Sequence, residues 1–147
     1  MAVGAGTSHA ANGVHDSSKP IEIAIDLPQS PGIRVNVHLT TLETSILLFL
    51  TSSSTETAQG AASMGSFVYA MPDRYNPTQP MSTALYTMPS SLDFTTRIAK
   101  VLCRRLQKPC YVGCSINLSG AAGGGSVEEE MEAFRNIVEV VTTRASR

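Results

Sequence analysis

The hydropathy pattern changes period along the chain, and the elements follow from it. Ile21, Ile23 and Ile25 alternate with Glu22, Ala24 and Asp26, the period-two signature of a strand with one wet face. Pro28 to Gly32 turns the chain, and Ile33, Val35, Val37 and Leu39 then alternate against Arg34, Asn36 and His38. The segment Thr44 to Leu50 differs. Ile46, Leu48 and Leu50 point one way while Leu47 and Phe49 point the other, so this strand is apolar on both faces. TSSSTETAQGAASMG, residues 51–65, reads as a long flexible loop. Ser66 to Met71 resumes the two-faced pattern with Phe67, Val68, Tyr69 and Ala70. Pro72, Asn76, Pro77 and Pro80 hold an irregular turn around Arg74 and Tyr75, and a short strand from about Ser82 to Met88 precedes Pro89.

The second half switches to helical spacing. Ser90 or Ser91 supplies a helix N-cap, and Phe94, Ile98, Leu102 and Leu106 form an apolar stripe that ends before Pro109. Cys110 to Ile116 is a further strand. GAAGGGS, Gly120 to Ser126, links it to a second helix, in which Ser126 and Glu129 have capping-box spacing and Val127, Met131, Phe134, Val138 and Val141 predict the buried stripe. These elements predict an α+β single domain over residues 20–143, with an antiparallel sheet of about six strands and two helices on one of its faces. Residues 1–19, poor in large apolar side chains, are expected to be a disordered tail, and 144–147 a C-terminal tail. Two helices cover one sheet face only. A residue such as Leu47 or Phe49 left in water forfeits about 1.5–3 kcal/mol of burial, so the second face is expected to pack on a partner subunit.

Composition narrows the function. The 147 residues carry 11 Lys+Arg against 12 Asp+Glu, a net charge of −1, which gives no global attraction for nucleic acid or an anionic membrane. No basic and apolar leader opens the chain, and the longest strongly apolar run, Ile46 to Leu50, is far shorter than the roughly 20 residues of a membrane span. Cytoplasm and nucleus are the expected compartments. Three cysteines are too few for a disulfide framework. Cys110 and Cys114 share a strand face with Val112, with Cys103 upstream and no fourth ligand at metal spacing, so they read as buried small hydrophobes. His9 and His15 fall in the tail, and His38 stands on the polar side of its strand without a nucleophile beside it. GAAGGGS lacks the Lys-Ser/Thr pair of a phosphate loop. Neither a catalytic site nor a cofactor or metal site is expected. One electrostatic feature stands out: Arg97, Lys100, Arg104 and Lys108 recur along the first helix, with Arg105 beside them, as a docking stripe for an acidic protein surface.

The order of segments resembles a known family. EEEMEAF at Glu128 to Phe134, the preceding RIAKVLCRRLQKPCYVGCSINL, and upstream VNVHLTTLETSILLFL and FVYAMPDRYNP with its Arg74-Tyr75 pair look like the proteasome assembly chaperone 4 family, over Ile33 to Leu50 and Phe67 to Glu139. The long tail and the 51–65 loop look like a fungal form. The resemblance implies a non-enzymatic chaperone of 20S proteasome assembly that pairs with proteasome assembly chaperone 3 as a heterodimer. It further implies binding of alpha subunits, notably alpha 5, during alpha-ring formation, and no nucleic-acid or membrane partner. The positions expected to meet partners are Leu47, Phe49 and Val68 on the sheet, Arg74 and Tyr75 at the turn, and Arg97, Lys100, Arg104 and Lys108 on the helix. The alternative is a small dimeric scaffold of the longin or roadblock type, in trafficking or signalling.

Overall fold

Period-two alternation gives the strands their two faces, and pairing fixes which face is dry. The structure, a computed structural model, describes residues 19–28, 31–54, 63–116 and 127–146. The tail before Lys19, residues 55–62 of the expected loop, and the stretch 117–126 with its glycine-rich linker and the Ser126 cap lie outside the described residues. The elements are β1 (Ile21–Asp26), β2 (Ile33–Thr41), β3 (Ile46–Ser54), β4 (Ser66–Met71), β5 (Met81–Tyr86), α1 (Leu92–Leu106), β6 (Cys110–Cys114) and α2 (Val127–Ala145).

The six strands form one sheet in the order β1-β2-β3-β6-β4-β5. Consecutive strands β1, β2 and β3 pair antiparallel, as do β4 and β5. The last strand, β6, enters the middle, parallel to β3 and antiparallel to β4. The α+β reading therefore holds, with one parallel pair in a mostly antiparallel sheet. That pair arises because α1 spans the return from edge strand β5 to the sheet centre, a path a tight hairpin cannot take. Ile46 N–H donates to Pro109 O at 3.0 Å and Ser115 N–H to Leu50 O at 3.0 Å, bracketing the parallel ladder.

One sheet face is covered. Val35, Val37 and Leu39 from β2, Ile46, Leu48 and Leu50 from β3, Val68 from β4 and Val112 from β6 are fully buried there, under Ile98 and Leu102 of α1 and Ile137 and Val141 of α2. Both helices lie on this side, α1 over β4, β6 and β5 and α2 against α1 and β2. Cys103, Cys110 and Cys114 are buried free thiols in the same core, Cys110 and Cys114 as their shared strand face with Val112 predicts.

Four sequence expectations are corrected. The segment expected to loop from Thr51 begins as strand: Thr51 to Ser54 pair with Ile33 to Asn36, and Asn36 Nδ2 donates to Ser53 Oγ at 3.1 Å. Backbone pairing with a neighbour recruits polar residues that carry no hydrophobic signal. In α2 the buried side is Glu129, Ala133, Ile137, Val138, Val141 and Ala145, whereas Val127 and Met131 are exposed. The helix seats Ala133 and Ala145 with Ile137, Val138 and Val141 against the fold, keeps Phe134 partly buried beside Phe94, and leaves only Val127 and Met131 of the expected stripe in solvent. It also continues through Ala145, into the expected C-terminal tail. Finally, Ser91 is the residue before α1 but makes no side-chain cap bond. Its hydroxyl instead accepts from Ser66 N–H at 3.1 Å and donates to Ser66 Oγ at 3.0 Å. Ser66 Oγ in turn donates to Met88 O at 3.0 Å and accepts from Met88 N–H at 2.9 Å.

This buried hydroxyl pair joins the start of β4 to the entry of α1. Just before it, Gly65 adopts φ +72°, and a Cβ there would lie 2.1 Å from Cys114 O, so only glycine lets the chain pass β6 at this point. Ser66→Ala leaves Ser91 Oγ and the Met88 backbone without their common partner, and the expected loss is about 1–3 kcal/mol of stability, measured as a lower urea midpoint with an unchanged slope.

Candidate functional site

The residues of opposite parity to the core make the second sheet face, and neither helix reaches it. One row of paired positions crosses all six strands: Glu22, His38, Phe49, Gly113, Phe67 and Tyr86. It is graded from charged on β1 to aromatic on β4 and β5. The adjacent row carries Leu47, Tyr111 and Tyr69. The rings are ordered against one another. His38 lies 6.3 Å from Phe49, Phe49 stacks with Phe67 at 6.0 Å, Phe67 with Tyr111 at 6.2 Å, and Tyr111 meets Tyr69 at 4.6 Å, all between centroids.

Gly113 makes this packing possible. It sits between Phe49 and Phe67 in register, and a Cβ on it would lie 2.7 Å from Phe49 Cδ1. The space a side chain would take is filled by the Phe49 ring, with Met64 Cγ next nearest at 3.2 Å, so Phe49 on β3 can lean over the intervening strand and stack with Phe67 on β4. These rings are half-buried. The β1–β2 end of the face is polar, with Arg34 and Asp26 paired at 3.0 Å and His38 Nε2 3.9 Å from Glu22. Such exposed pairs contribute little stability.

Leu47 and Phe49 therefore stand where the sequence places them. Val68 does not: it is fully buried under α1, in register with Val112. Its neighbours Phe67 and Tyr69 hold the open face, because side chains alternate and only odd positions of β4 point that way. Tyr111 and Gly113 belong with them. The signal was available in the parity of β6, since assigning Cys110, Val112 and Cys114 to one face assigns Tyr111 and Gly113 to the other.

Arg74 and Tyr75 lie in the β4–β5 connection and point into solvent, Tyr75 at 95% exposure. The turn beneath them is set by Tyr75 N–H donating to Asp73 Oδ1 at 2.9 Å and Gln79 N–H to Asn76 O at 3.0 Å. The basic stripe divides. Arg97 is held between the helices: its guanidinium pairs with Asp93 at 3.2 Å and with Glu130 at 2.5 Å, and lies 5.6 Å from the Phe134 ring, itself edge-on to Phe94. Lys100 and Arg104 are exposed and line a cleft against β5 and the turn. Lys108 falls beyond the helix, because Gln107 adopts φ 53° and closes it by donating its N–H to Cys103 O.

Burial pushes the thiols up from near 9, to about 11 for Cys103 and Cys114 and about 12 for Cys110, so they stay protonated and unreactive at neutral pH. Among the described residues no helix is long and apolar enough to cross a membrane, and no three His, Cys, Asp or Glu side chains gather to hold a metal. What the arrangement presents is an aromatic sheet face, and a basic helix flank beside an exposed Arg-Tyr turn.

A profile of proteasome assembly chaperone 4 matches residues 34–116, more than half of the chain, spanning β2 to β6. The chain belongs to the proteasome assembly chaperone 4 family. No curated protein matches the sequence. Among solved structures, the fold is similar to that of a chain in the crystal structure of a novel chaperone complex for yeast 20S proteasome assembly. The TM-score is 0.60 at 19% identity, over 88% of this chain and 98% of that one. The family match begins at Arg34 and ends at Ile116, so it contains the aromatic face, the Arg-Tyr turn and α1 but leaves out α2.

Two outcomes test this site. Gly113→Val forces Phe49 out of its stack, and about 1–3 kcal/mol of stability is expected to be lost, read by urea unfolding. The raised thiol pKa values add a pH dependence with a defined sign. Below about 9 the thiols are protonated in both states; above it the unfolded chain loses protons that the folded one keeps to about 11 or 12, so stability falls across that window. Urea midpoints against pH should show this slope, and Cys→Ala at Cys103, Cys110 and Cys114 together should flatten it.

Proposed function

We propose that this chain is a non-enzymatic chaperone of 20S proteasome assembly, acting in the cytoplasm and nucleus as a heterodimer with proteasome assembly chaperone 3. The observation that carries the reading, beside the family, is the ordered aromatic face with no described helix over it. Leu47, Phe49, Phe67, Tyr69 and Tyr111 are only half-buried, and a second sheet packed on them makes a four-layer arrangement of helices, sheet, sheet and helices. A contiguous apolar face with pre-stacked rings suits a lasting partner, since its side chains lose little freedom on binding.

The heterodimer binds alpha subunits, notably alpha 5, and promotes formation of the alpha ring. The surface proposed for this contact is Arg74 and Tyr75 with Lys100, Arg104 and Lys108. Arg97, already paired within the chain, contributes mainly to holding α2 on α1. A polar, charged contact suits a partner that is later released, because assembly chaperoning requires only that affinity be lost when another subunit claims the same space. The longin or roadblock alternative has no observation in its favour once the family is established.

Co-expression with proteasome assembly chaperone 3 and alpha 5, followed by purification through a tag on this chain, is expected to recover both. Phe49→Asp should abolish recovery of the chaperone partner, and Lys100→Glu with Arg104→Glu should reduce alpha-subunit recovery and its salt dependence while leaving the chaperone pair intact. Recovery of neither protein with the unmodified chain would sink the assignment.

A further inference from the structure

The sheet has two outer edges, and they are treated differently. β1 carries Glu22 and Asp26, the latter paired with Arg34, and charge along an edge discourages strand addition. β5, the opposite edge, is MSTALY: it has no charged residue and no proline, and all of its residues except Ser82 are exposed. Met81, Leu85 and Tyr86 are 49%, 53% and 54% exposed. Pairing with β4 uses one side of the β5 backbone, and no described strand pairs with the other. The irregularity in the ladder lies at Phe67/Val68, so Met81 to Ala84 remain in regular register and present a straight edge. An uncharged, apolar, regular edge strand is a template for another strand.

Beside this edge is a cleft of roughly 760 Å³, lined by Met81, Ser82 and Thr83 on one side and by Lys100 and Arg104 of α1 on the other. Neither cation forms an ion pair with a described residue, and the one carboxylate in the lining, Asp73, already accepts the Tyr75 N–H. The cleft thus combines free backbone groups, two unpaired cations and apolar side chains along one line.

We propose that β5 accepts an extended acidic segment of a partner protein as a further strand of the sheet. Main-chain hydrogen bonds to β5 hold the segment, and carboxylates on its α1-facing side pair with Lys100 and Arg104. Two cations beside a strand edge are too few to track a nucleic-acid backbone, and they suit carboxylates at alternate positions of a strand. The chaperone reading enters only in naming the protein that carries the segment, an alpha subunit; pairing at the edge is tested without it.

The probe is a fluorescein-labelled, blocked hexapeptide of alternating Glu and Val, titrated into the full-length chain by anisotropy. Its counterpart, N-methylated at alternate residues, keeps every side chain but loses one edge of main-chain donors. Saturable binding is expected, weakened roughly tenfold or more by N-methylation and likewise by Lys100→Glu with Arg104→Glu, with slowed amide exchange in Met81 to Tyr86. Equal binding of the two peptides, binding indifferent to the charge reversal, or none at all overturns the proposal. Success here alongside recovery of neither proteasome assembly chaperone 3 nor alpha 5 would leave the edge site standing and remove the assembly reading, and the reverse result would do the opposite.

Discussion

A six-stranded sheet has two faces to keep from water, and the two helices among the described residues reach only one. That inequality organises the molecule. Leu48 and Leu50 are fully buried because α1 and α2 lie over them, while Leu47 and Phe49 on the same strand remain half in solvent. Each large side chain left so forfeits up to about 1.5–3 kcal/mol, and the forfeited energy is available to whatever covers the face. The apolar open face is thus a constraint on assembly as much as a feature of the fold.

The covered side is built to hold its shape without that partner. Ser66 and Ser91 satisfy each other and the Met88 backbone where β4 meets α1. Arg97 ties α2 to α1 through Glu130 and the Phe94–Phe134 pair. On the open side, order comes from the rings themselves: Gly113 supplies the gap over which Phe49 and Phe67 stack. Pre-stacked rings reduce the entropy lost on docking, so one missing side chain in β6 prepares a surface spread over three strands.

Charge is distributed unevenly over the surface. The aromatic part of the open face, from β3 to β4, has no charged residue, and its charges gather on β1 and β2. Lys100 and Arg104, exposed and without an ion pair among the described residues, stand on the flank of α1, beside the Arg74-Tyr75 turn and the edge of β5 that no described strand pairs. A near-neutral chain can in this way present one surface suited to a lasting sheet partner and another suited to an acidic, exchangeable one.

Local pattern determined most of the elements. Alternation at 21–25 and 33–39, double-sided apolar runs at 46–50 and 67–71, and i,i+4 spacing from Phe94 to Leu106 were legible because each reports a periodicity that a single element imposes on its own residues. The same patterns implied that one sheet face would lack cover. Tertiary structure decided what depends on neighbours far along the chain. Thr51 to Ser54 became strand through pairing with β2, and β6 entered the centre of the sheet beside β3. Those pairings put Val68 under α1 and brought Phe67, Tyr111 and Gly113 to the open face. α2 rolled onto Ala133 and Ala145, and Arg97 was drawn from the basic stripe to Glu130 on the other helix. A residue's period shows that an element has two sides; which side is covered is set by the elements that pack against it.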